Sequence, residues 1–180
     1  MKPLPSSFPG TGILRLLFSA SGGPYHSPVY SAACFKTACS TQLPIQMYTV
    51  TKEIHFCYGH RLLNHQGKCK HLHGHNATAV IRLESEQLDS LGMVCDFSDI
   101  GDYVKTWINQ NLDHTMLLHA QDPVLPLLQE AGETVYVMRD NPTAENIARL
   151  IFEHVQGGGF PVVEVALHET DSALASYRKS

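Results

Sequence analysis

The sequence predicts an α+β fold in which helices cover one face of an antiparallel β-sheet. Residues 48–58 and 75–84 alternate between apolar and polar side chains and are rich in Thr, Val, Ile and aromatic residues, a pattern typical of strands with one buried face. Two later segments repeat their apolar residues with a helical period, and two short alternating runs follow them. The order strand–strand–helix–helix–strand–strand therefore favours a four-stranded sheet with two helices on one side.

Polar capping residues mark the start of both predicted helices. Asp96 is suited to cap a helix that runs to about residue 111, and Thr143 is suited to cap a second helix that ends near Gly157. In both segments apolar residues recur at i, i+3 and i+4, so one stripe of each helix should face the sheet.

The remaining elements are shorter. Prolines interrupt residues 119–141, where we expect only a helical turn at 125–130 and a short edge strand at 134–138. Residues 162–167 and 173–177 are the last two predicted strands.

The first 46 residues differ in composition from the rest of the chain. They contain no Asp or Glu and carry a net charge of +3, whereas residues 47–180 carry −7. Acid-poor, Ser-rich N-termini can be organellar transit peptides, but the prolines leave no long amphipathic helix here. We interpret residues 1–46 as a disordered or artefactual extension, with targeting as the alternative, and expect that translation begins at Met47.

The composition also limits the compartment and the partners. No apolar run approaches the ~20 residues that span a bilayer. The five cysteines lack paired spacing, which favours a reducing compartment, and the acidic domain offers no basic patch for nucleic acid. We therefore expect a cytoplasmic protein that binds neither membrane nor nucleic acid.

Residues 60–76, HRLLNHQGKCKHLHGHN, hold five of the eleven histidines. His60 ends the first alternating run, so its imidazole should share a strand face with the apolar side chains before it. His73 and His75 stand two apart at the head of the second run and also share a face. Two adjacent strands can thus bring three imidazoles to one point and leave a fourth position open, as a catalytic Zn²⁺ requires.

Other interpretations of this stretch stay open. A histidine-rich loop can be ordinary surface, and Cys69 could complete a structural zinc site with the three histidines. The period-two spacing favours metal binding at His60, His73 and His75. We expect His65 and His71 to be solvated or to support the ligands.

Six short motifs give the chain from Met47 onward a resemblance to a known family. They are F-x-x-x-H-R at residues 56–61, K-C-x-x-x-H-G-H-N at 68–76, G-M-V-x-D-F at 92–97, L-D-H at 112–114, P-T-A-E-N at 142–146 and E-T at 169–170. In order and spacing they resemble the 6-pyruvoyl-tetrahydropterin synthase and 6-carboxytetrahydropterin synthase family. The resemblance implies that residues 47–180 form a catalytic domain of the tunnelling fold (T-fold). Subunits of that fold join edge to edge into a barrel, as a trimer or a hexamer of two stacked trimers, with active sites between subunits.

The resemblance also implies catalytic roles. Cys69 would be the base, and its neighbours Lys68 and Lys70, together with nearby Zn²⁺, favour the thiolate. Asp113 and His114 would handle a complementary proton transfer, since a carboxylate fixes the tautomer of its histidine. An adjacent Asp-His pair is also common by chance.

Glu169 is the candidate pterin anchor. It shares a strand face with Val165 and Leu167, and a carboxylate at the end of an apolar row needs a partner. That partner could be an arginine or a backbone amide. The resemblance instead implies the ring N3–H and 2-amino group of a pterin. It also places Thr143 and Glu145 near the ring, and Arg61, Lys68 and Lys70 are candidates for binding a triphosphate.

The activity implied is a Zn²⁺-dependent lyase reaction on 7,8-dihydroneopterin triphosphate. One branch of the family releases triphosphate and acetaldehyde to give 6-carboxytetrahydropterin for queuosine (7-deazapurine) biosynthesis, and the other gives 6-pyruvoyl-tetrahydropterin. Three residues separate Cys69 from His73, which resembles the carboxy-forming branch. The short segment between His60 and Cys69 leaves substrate preference open. A non-catalytic structural zinc scaffold is the remaining alternative.

Overall fold

The computed structural model describes residues 46–179. All of the predicted N-terminal extension except Gln46 lies outside the described residues. Six strands form one mixed sheet: β1 (Tyr48–His60), β2 (His73–Ser85), β3 (Thr115–His119), β4 (Val135–Met138), β5 (Val162–Thr170) and β6 (Ala173–Arg178). Their order across the sheet is β4-β3-β1-β2-β5-β6.

Three helices accompany the sheet: α1 (Phe97–Asn111), α2 (Leu125–Glu130) and α3 (Ala144–Gly157). The two long helices begin at the predicted caps. The Asp96 carboxylate accepts a hydrogen bond from the Ser98 backbone N–H at 2.7 Å, and the Thr143 hydroxyl accepts one from the Asn146 N–H at 3.4 Å. These contacts satisfy N–H groups that the first helical turn leaves without partners.

The hydrophobic core lies between the sheet and the stripes of α1 and α3. Its fully buried members include Ile81 and Leu83 of β2, Ile100, Val104 and Ile108 of α1, and Ile147, Ile151 and Val155 of α3. Burying each such side chain contributes roughly 1.5–3 kcal/mol. A one-residue slip of β2 would remove its whole apolar set from the core, so this burial fixes the β1–β2 register.

The predicted α+β class is confirmed, and the sheet is larger than the four antiparallel strands expected. β1, β2, β5 and β6 are the antiparallel set, while β3 runs parallel to β1 and to β4. β4 and α2 match the expected edge strand and helical turn. β3 was not predicted because it has only five residues and three of them are buried, so it shows no polar alternation.

Among the described residues, most of the outer side of β1 and the whole outer side of β6 have no strand partner. β1 pairs with β3 only over Tyr58–His60, so most of its length has a free side. β6 is the last strand at the other end of the sheet. Exposed strand edges of this kind are usually covered by association. In the described part of the chain, no helix combines the length and apolar character that crossing a membrane would need.

Candidate active site

Strands β1 and β2 bring four side chains together as two cross-strand pairs on the core face of the sheet. His60 lies directly opposite His73, and Tyr58 lies directly opposite His75. Side chains two apart on a strand share a face, so the three imidazoles converge as the sequence predicts. Their metal-binding atoms lie within 4.8 Å of one another, and the three histidines could hold a metal ion.

Backbone carbonyls set the tautomers of two of these histidines. His60 Nδ1 donates to the Pro142 carbonyl at 2.7 Å, and His73 Nδ1 donates to the His71 carbonyl at 2.8 Å. With the proton on Nδ1, each Nε2 is left as a lone-pair donor, and these two atoms face each other at 3.0 Å. Burial lowers the pKa of His60, which also favours neutral imidazole. Two facing lone pairs need a cation between them, so this donor set fits Zn²⁺.

Gly74, between the two β2 ligands, is required by the pairing of the strands. A Cβ at this position would lie 2.8 Å from the Tyr58 carbonyl oxygen, closer than side chains approach backbone. Glycine therefore lets β2 pair closely with β1 at the point where His73 and His75 reach the centre.

Glu169, at the end of β5, completes the group. Its Oε1 lies 3.8 Å from His60 Nε2 and 4.0 Å from His75 Nε2. The same oxygen accepts a hydrogen bond from the Tyr58 hydroxyl at 2.6 Å. Burial, and then the hydrogen bond to Glu169, raises the pKa of Tyr58, so the phenol stays protonated and donates.

These groups line a cavity of about 360 Å³. Its walls are formed by His60, Leu62, Cys69, His73, His75, Thr143, Ala144, Glu145, Glu169, Ala173, Leu174 and Ala175. The predicted base, the predicted pterin anchor and two further predicted substrate contacts, Thr143 and Glu145, therefore share one cavity with the three histidines. A volume of this size suits a small ligand.

Cys69 sits on a 3₁₀ turn, Lys68–Lys70, in the loop between β1 and β2. Its carbonyl accepts a hydrogen bond from the Leu62 N–H at 2.8 Å, which closes the loop on itself. Among the described residues, the cluster of metal-binding atoms consists of the three histidines and does not include the Cys69 thiol. The flanking lysines are exposed.

His114 Nδ1 lies 3.0 Å from Asp113 Oδ2, but the two residues lie outside this cavity. The Asp113 carboxylate accepts a hydrogen bond from the Cys57 N–H at 2.8 Å, and this bond is the main cause that lowers the pKa of Asp113. The His114 side chain is 79% exposed and its φ is +53°. A non-glycine residue held in this left-handed conformation is under strain, which is common at functional sites.

The structure gives Arg61 a charged partner in its own chain. Its Nε lies 3.1 Å from Oδ2 of Asp122, a carboxylate that is buried in the loop before α2. Arg61 does not line the cavity of its own chain, and its expected contact with the triphosphate stays a prediction. A buried carboxylate needs such a partner, and removing the arginine would leave that charge uncompensated.

Sequence reasoning missed two residues that support the site. Tyr58 carries the hydroxyl that binds Glu169, although its place on the His60 face was visible in the alternation. The Asn141 side-chain amide makes two hydrogen bonds to the Leu63 backbone. Its oxygen accepts from the N–H at 2.8 Å, and its nitrogen donates to the carbonyl at 3.0 Å. Only tertiary structure brings residues this far apart in the chain together.

Comparison with known proteins identifies the family. Residues 49–180 match the family profile described as 6-pyruvoyl tetrahydropterin synthase. A relative from Rickettsia felis, named 6-carboxy-5,6,7,8-tetrahydropterin synthase, is 40% identical over 135 residues, which cover 71% of this chain and 98% of the relative. The chain therefore belongs to the 6-pyruvoyl tetrahydropterin synthase family, a family of pterin-synthesising enzymes.

Solved structures support the same fold. An uncharacterized protein of Wolinella succinogenes matches with a TM-score of 0.65 and 28% identity, covering 75% of this chain and 99% of that one. The 6-pyruvoyl tetrahydropterin synthase of Caenorhabditis elegans matches with a TM-score of 0.56 and 22% identity, covering 76% and 98% respectively. The second likeness concerns the fold alone. The expected tunnelling fold is thus confirmed for the described part of the chain.

Proposed function

We propose that the protein converts 7,8-dihydroneopterin triphosphate into 6-carboxy-5,6,7,8-tetrahydropterin, with release of triphosphate and acetaldehyde. The observation that carries this proposal is the single cavity that holds three convergent imidazoles, a thiol and a carboxylate. The name of the Rickettsia felis relative supports the carboxy-forming reaction.

His60, His73 and His75 would hold Zn²⁺ through their Nε2 atoms. Bound there, the ion would act as a Lewis acid toward the side-chain oxygens of the substrate and make the adjoining C–H bonds more acidic. Two backbone carbonyls keep His60 and His73 in the tautomer that can bind metal. These two ligands are therefore oriented before the metal binds. Three protein ligands leave a position for substrate, as in catalytic zinc sites.

Cys69 is the proposed general base, because its thiol lines the cavity without joining the metal-binding cluster. As thiolate it would remove a proton from the substrate side chain. Glu169 would accept the ring N3–H and 2-amino group of the pterin, and this pair of hydrogen bonds fixes which carbon faces the thiol. Thr143 and Glu145, at the start of α3, line the same cavity and are proposed to contact the ring.

His114 and Asp113 are proposed to serve the cavity of a neighbouring subunit. Within one chain the pair lies outside the Cys69 cavity, and His114 is exposed and conformationally strained. The open side of β1 and the edge strand β6 give each subunit two strands to pair with neighbours. We infer a closed trimer or a hexamer of two trimers, which sedimentation of the purified protein should detect; a monomer with full activity would contradict the shared site.

Two other functions remain as competitors. A 6-pyruvoyl-tetrahydropterin product is favoured by the description of the family profile alone. A structural zinc scaffold would need Cys69 as fourth ligand, and Cys69 is outside the metal-binding cluster of the described residues. Cys57, Cys69 and Cys95 are free thiols, which supports a reducing, cytoplasmic location.

Mass spectrometry of the product distinguishes these functions. Purified zinc-loaded protein incubated with 7,8-dihydroneopterin triphosphate should yield 6-carboxytetrahydropterin together with acetaldehyde. A product that keeps the three-carbon side chain would assign the pyruvoyl reaction. No turnover by a zinc-loaded oligomer would favour the scaffold.

A further inference from the structure

Tyr58 brings a buried hydroxyl to the centre of the site. Its side chain is almost fully enclosed, at 3% exposure, and lies opposite His75 on the paired strand. The ring centroid is 5.2 Å from that of His60 and 5.8 Å from that of His75. The hydroxyl donates to Glu169 Oε1 at 2.6 Å, the length of a strong hydrogen bond to a charged acceptor.

A phenylalanine would fill the same space among the apolar neighbours. Burying a hydroxyl costs free energy unless it makes a hydrogen bond. The hydrogen bond to Glu169 therefore explains why this position holds tyrosine and not phenylalanine. That bond joins β1, which carries a metal ligand, to the end of β5, which carries the proposed pterin anchor.

Glu169 has a second possible partner in the same space. Its Oε1 lies 3.8 and 4.0 Å from the Nε2 atoms of His60 and His75, the nitrogens that face the metal position. Carboxylate oxygens bind Zn²⁺ readily, and a fourth protein ligand closes the coordination shell. A Glu169 that turned toward the metal would be lost to the pterin and would also occupy the position meant for substrate.

We propose that Tyr58 is a positioning residue that holds Glu169 on the pterin side of the cavity and out of the metal shell. The proposal rests on the assignment of Glu169 as pterin anchor. Each carboxylate oxygen has two lone pairs, so Oε1 can accept the Tyr58 hydroxyl and still accept a donor from the ring. Tyr58 thereby keeps one carboxylate for recognition and leaves one coordination position free for the substrate.

The test is Tyr58→Phe, which removes one oxygen atom and keeps the ring. Two equilibria are measured on the full-length oligomer: binding of neopterin, followed by pterin fluorescence, and binding of Zn²⁺, followed by competition with a chelating dye. We expect the Kd for neopterin to rise about tenfold, the usual effect of losing a hydrogen bond to a charged group. We expect Zn²⁺ affinity to increase, because the freed Glu169 carboxylate can then turn toward the metal as a fourth ligand.

Weaker neopterin binding together with tighter Zn²⁺ binding is the result that distinguishes this role. A general loosening of the site would weaken both, and loss of an ordinary support of a metal ligand lowers metal affinity about 10- to 100-fold. A fall of that size in Zn²⁺ affinity, or a neopterin Kd within about twofold of wild type, would overturn the proposal. Tyr136→Phe is the matched control, because it removes a hydroxyl from a half-buried tyrosine that lies outside the cavity.

A second substitution shows whether Tyr58 acts through Glu169. In a Glu169→Gln background, Tyr58→Phe should change the neopterin Kd little, since the group it positions is already altered. Additive losses would contradict the mechanism. If the wild-type protein bound no neopterin, the proposed function would fail, and the role of Tyr58 would still be decided by Zn²⁺. Tighter Zn²⁺ binding in Tyr58→Phe that disappears with Glu169→Gln would support the role, and unchanged binding would refute it.

Discussion

The two halves of the cavity are built in different ways. One half is the strand group, which is carried by strands β1, β2 and β5. Its members are His60, His73, His75 and Glu169, together with Tyr58, which binds Glu169 but does not line the cavity. The other half is the Cys69 loop, residues 61–72, which connects β1 to β2 and is mostly exposed. Strand register fixes the first half, whereas a few side-chain contacts fix the second.

The Cys69 loop is attached to the body of the domain at two places. Arg61 pairs with the buried carboxylate of Asp122, and the Asn141 amide binds both the N–H and the carbonyl of Leu63. The Asn141 carbonyl is in turn held by the Asn146 side chain at 2.8 Å, at the start of α3. The proposed base therefore depends on anchors that contact neither the metal position nor the cavity.

This difference assigns separate tasks to the two halves. The strand group can keep a metal in fixed geometry, because moving one ligand would require breaking the β1–β2 ladder. The loop can change the position of the thiol relative to the substrate, because few contacts hold the loop in place. Segments with few contacts often move in this way. The two halves should consequently respond differently to substitution.

The largest effect is expected in the strand group. His73→Ala removes one of three protein ligands and should release zinc and abolish turnover. Metal analysis and a turnover assay on the same preparation measure both. His65→Ala is the matched control, since this exposed histidine of the Cys69 loop is not part of the metal-binding cluster and should keep zinc and activity. Stoichiometric zinc in His73→Ala would mean that the metal binds elsewhere.

A smaller effect is expected at the loop anchor. Asn141→Ala removes both hydrogen bonds to Leu63, so the thiol should lose its position while the histidines keep theirs. We expect kcat to fall about tenfold to a hundredfold, as a small misplacement of a reacting group can cause. The zinc content and the Kd for neopterin should change little.

The control for this anchor is Gln66→Ala, which removes an amide of the same loop; within residues 46–179 that amide bonds only to the nearby Asn64 carbonyl. It should leave kcat near the wild-type value. Loss of zinc in Asn141→Ala would show that the two halves are not separable, because the neighbouring Pro142 carbonyl supports His60.

No effect on either half is expected from removing residues 1–46. All residues proposed for the site follow Met47, and the family match begins at residue 49. A variant that begins at Met47 should keep the oligomer, the zinc and the turnover rate, measured by sedimentation, metal analysis and assay. Failure to assemble would show that this segment belongs to the fold.

The strand group could largely be predicted from the sequence because it follows a short-range rule. Two-residue spacing places His73 and His75 on one face, and His60 ends a strand with the same alternation. The link between Tyr58 and Glu169 could not be predicted, since it joins strands separated by more than a hundred residues and depends on the order of the sheet. The same limit applies to β3, because its parallel pairing with β1 joins segments that are far apart in the chain.

The loop half was harder to predict, for a related reason. Cys69 was recognisable from its motif, but its anchors lie in the turns after β3 and β4. Arg61 was expected at the substrate because its charge suits a phosphate, and its pairing with the buried Asp122 could not be predicted from the sequence. A charged side chain next to a motif residue cannot be assigned until its partners are known.

The most direct test of the separation between metal and base is Cys69→Ala, with zinc content and turnover measured on one preparation. If the thiol is a base that stands near the metal without binding it, zinc should stay near one per subunit and the oligomer should stay intact. Turnover should fall by roughly 10²–10⁴, the range for losing a positioned general base. Loss of zinc together with lower thermal stability would instead show that Cys69 closes a structural zinc site, and would contradict the catalytic assignment.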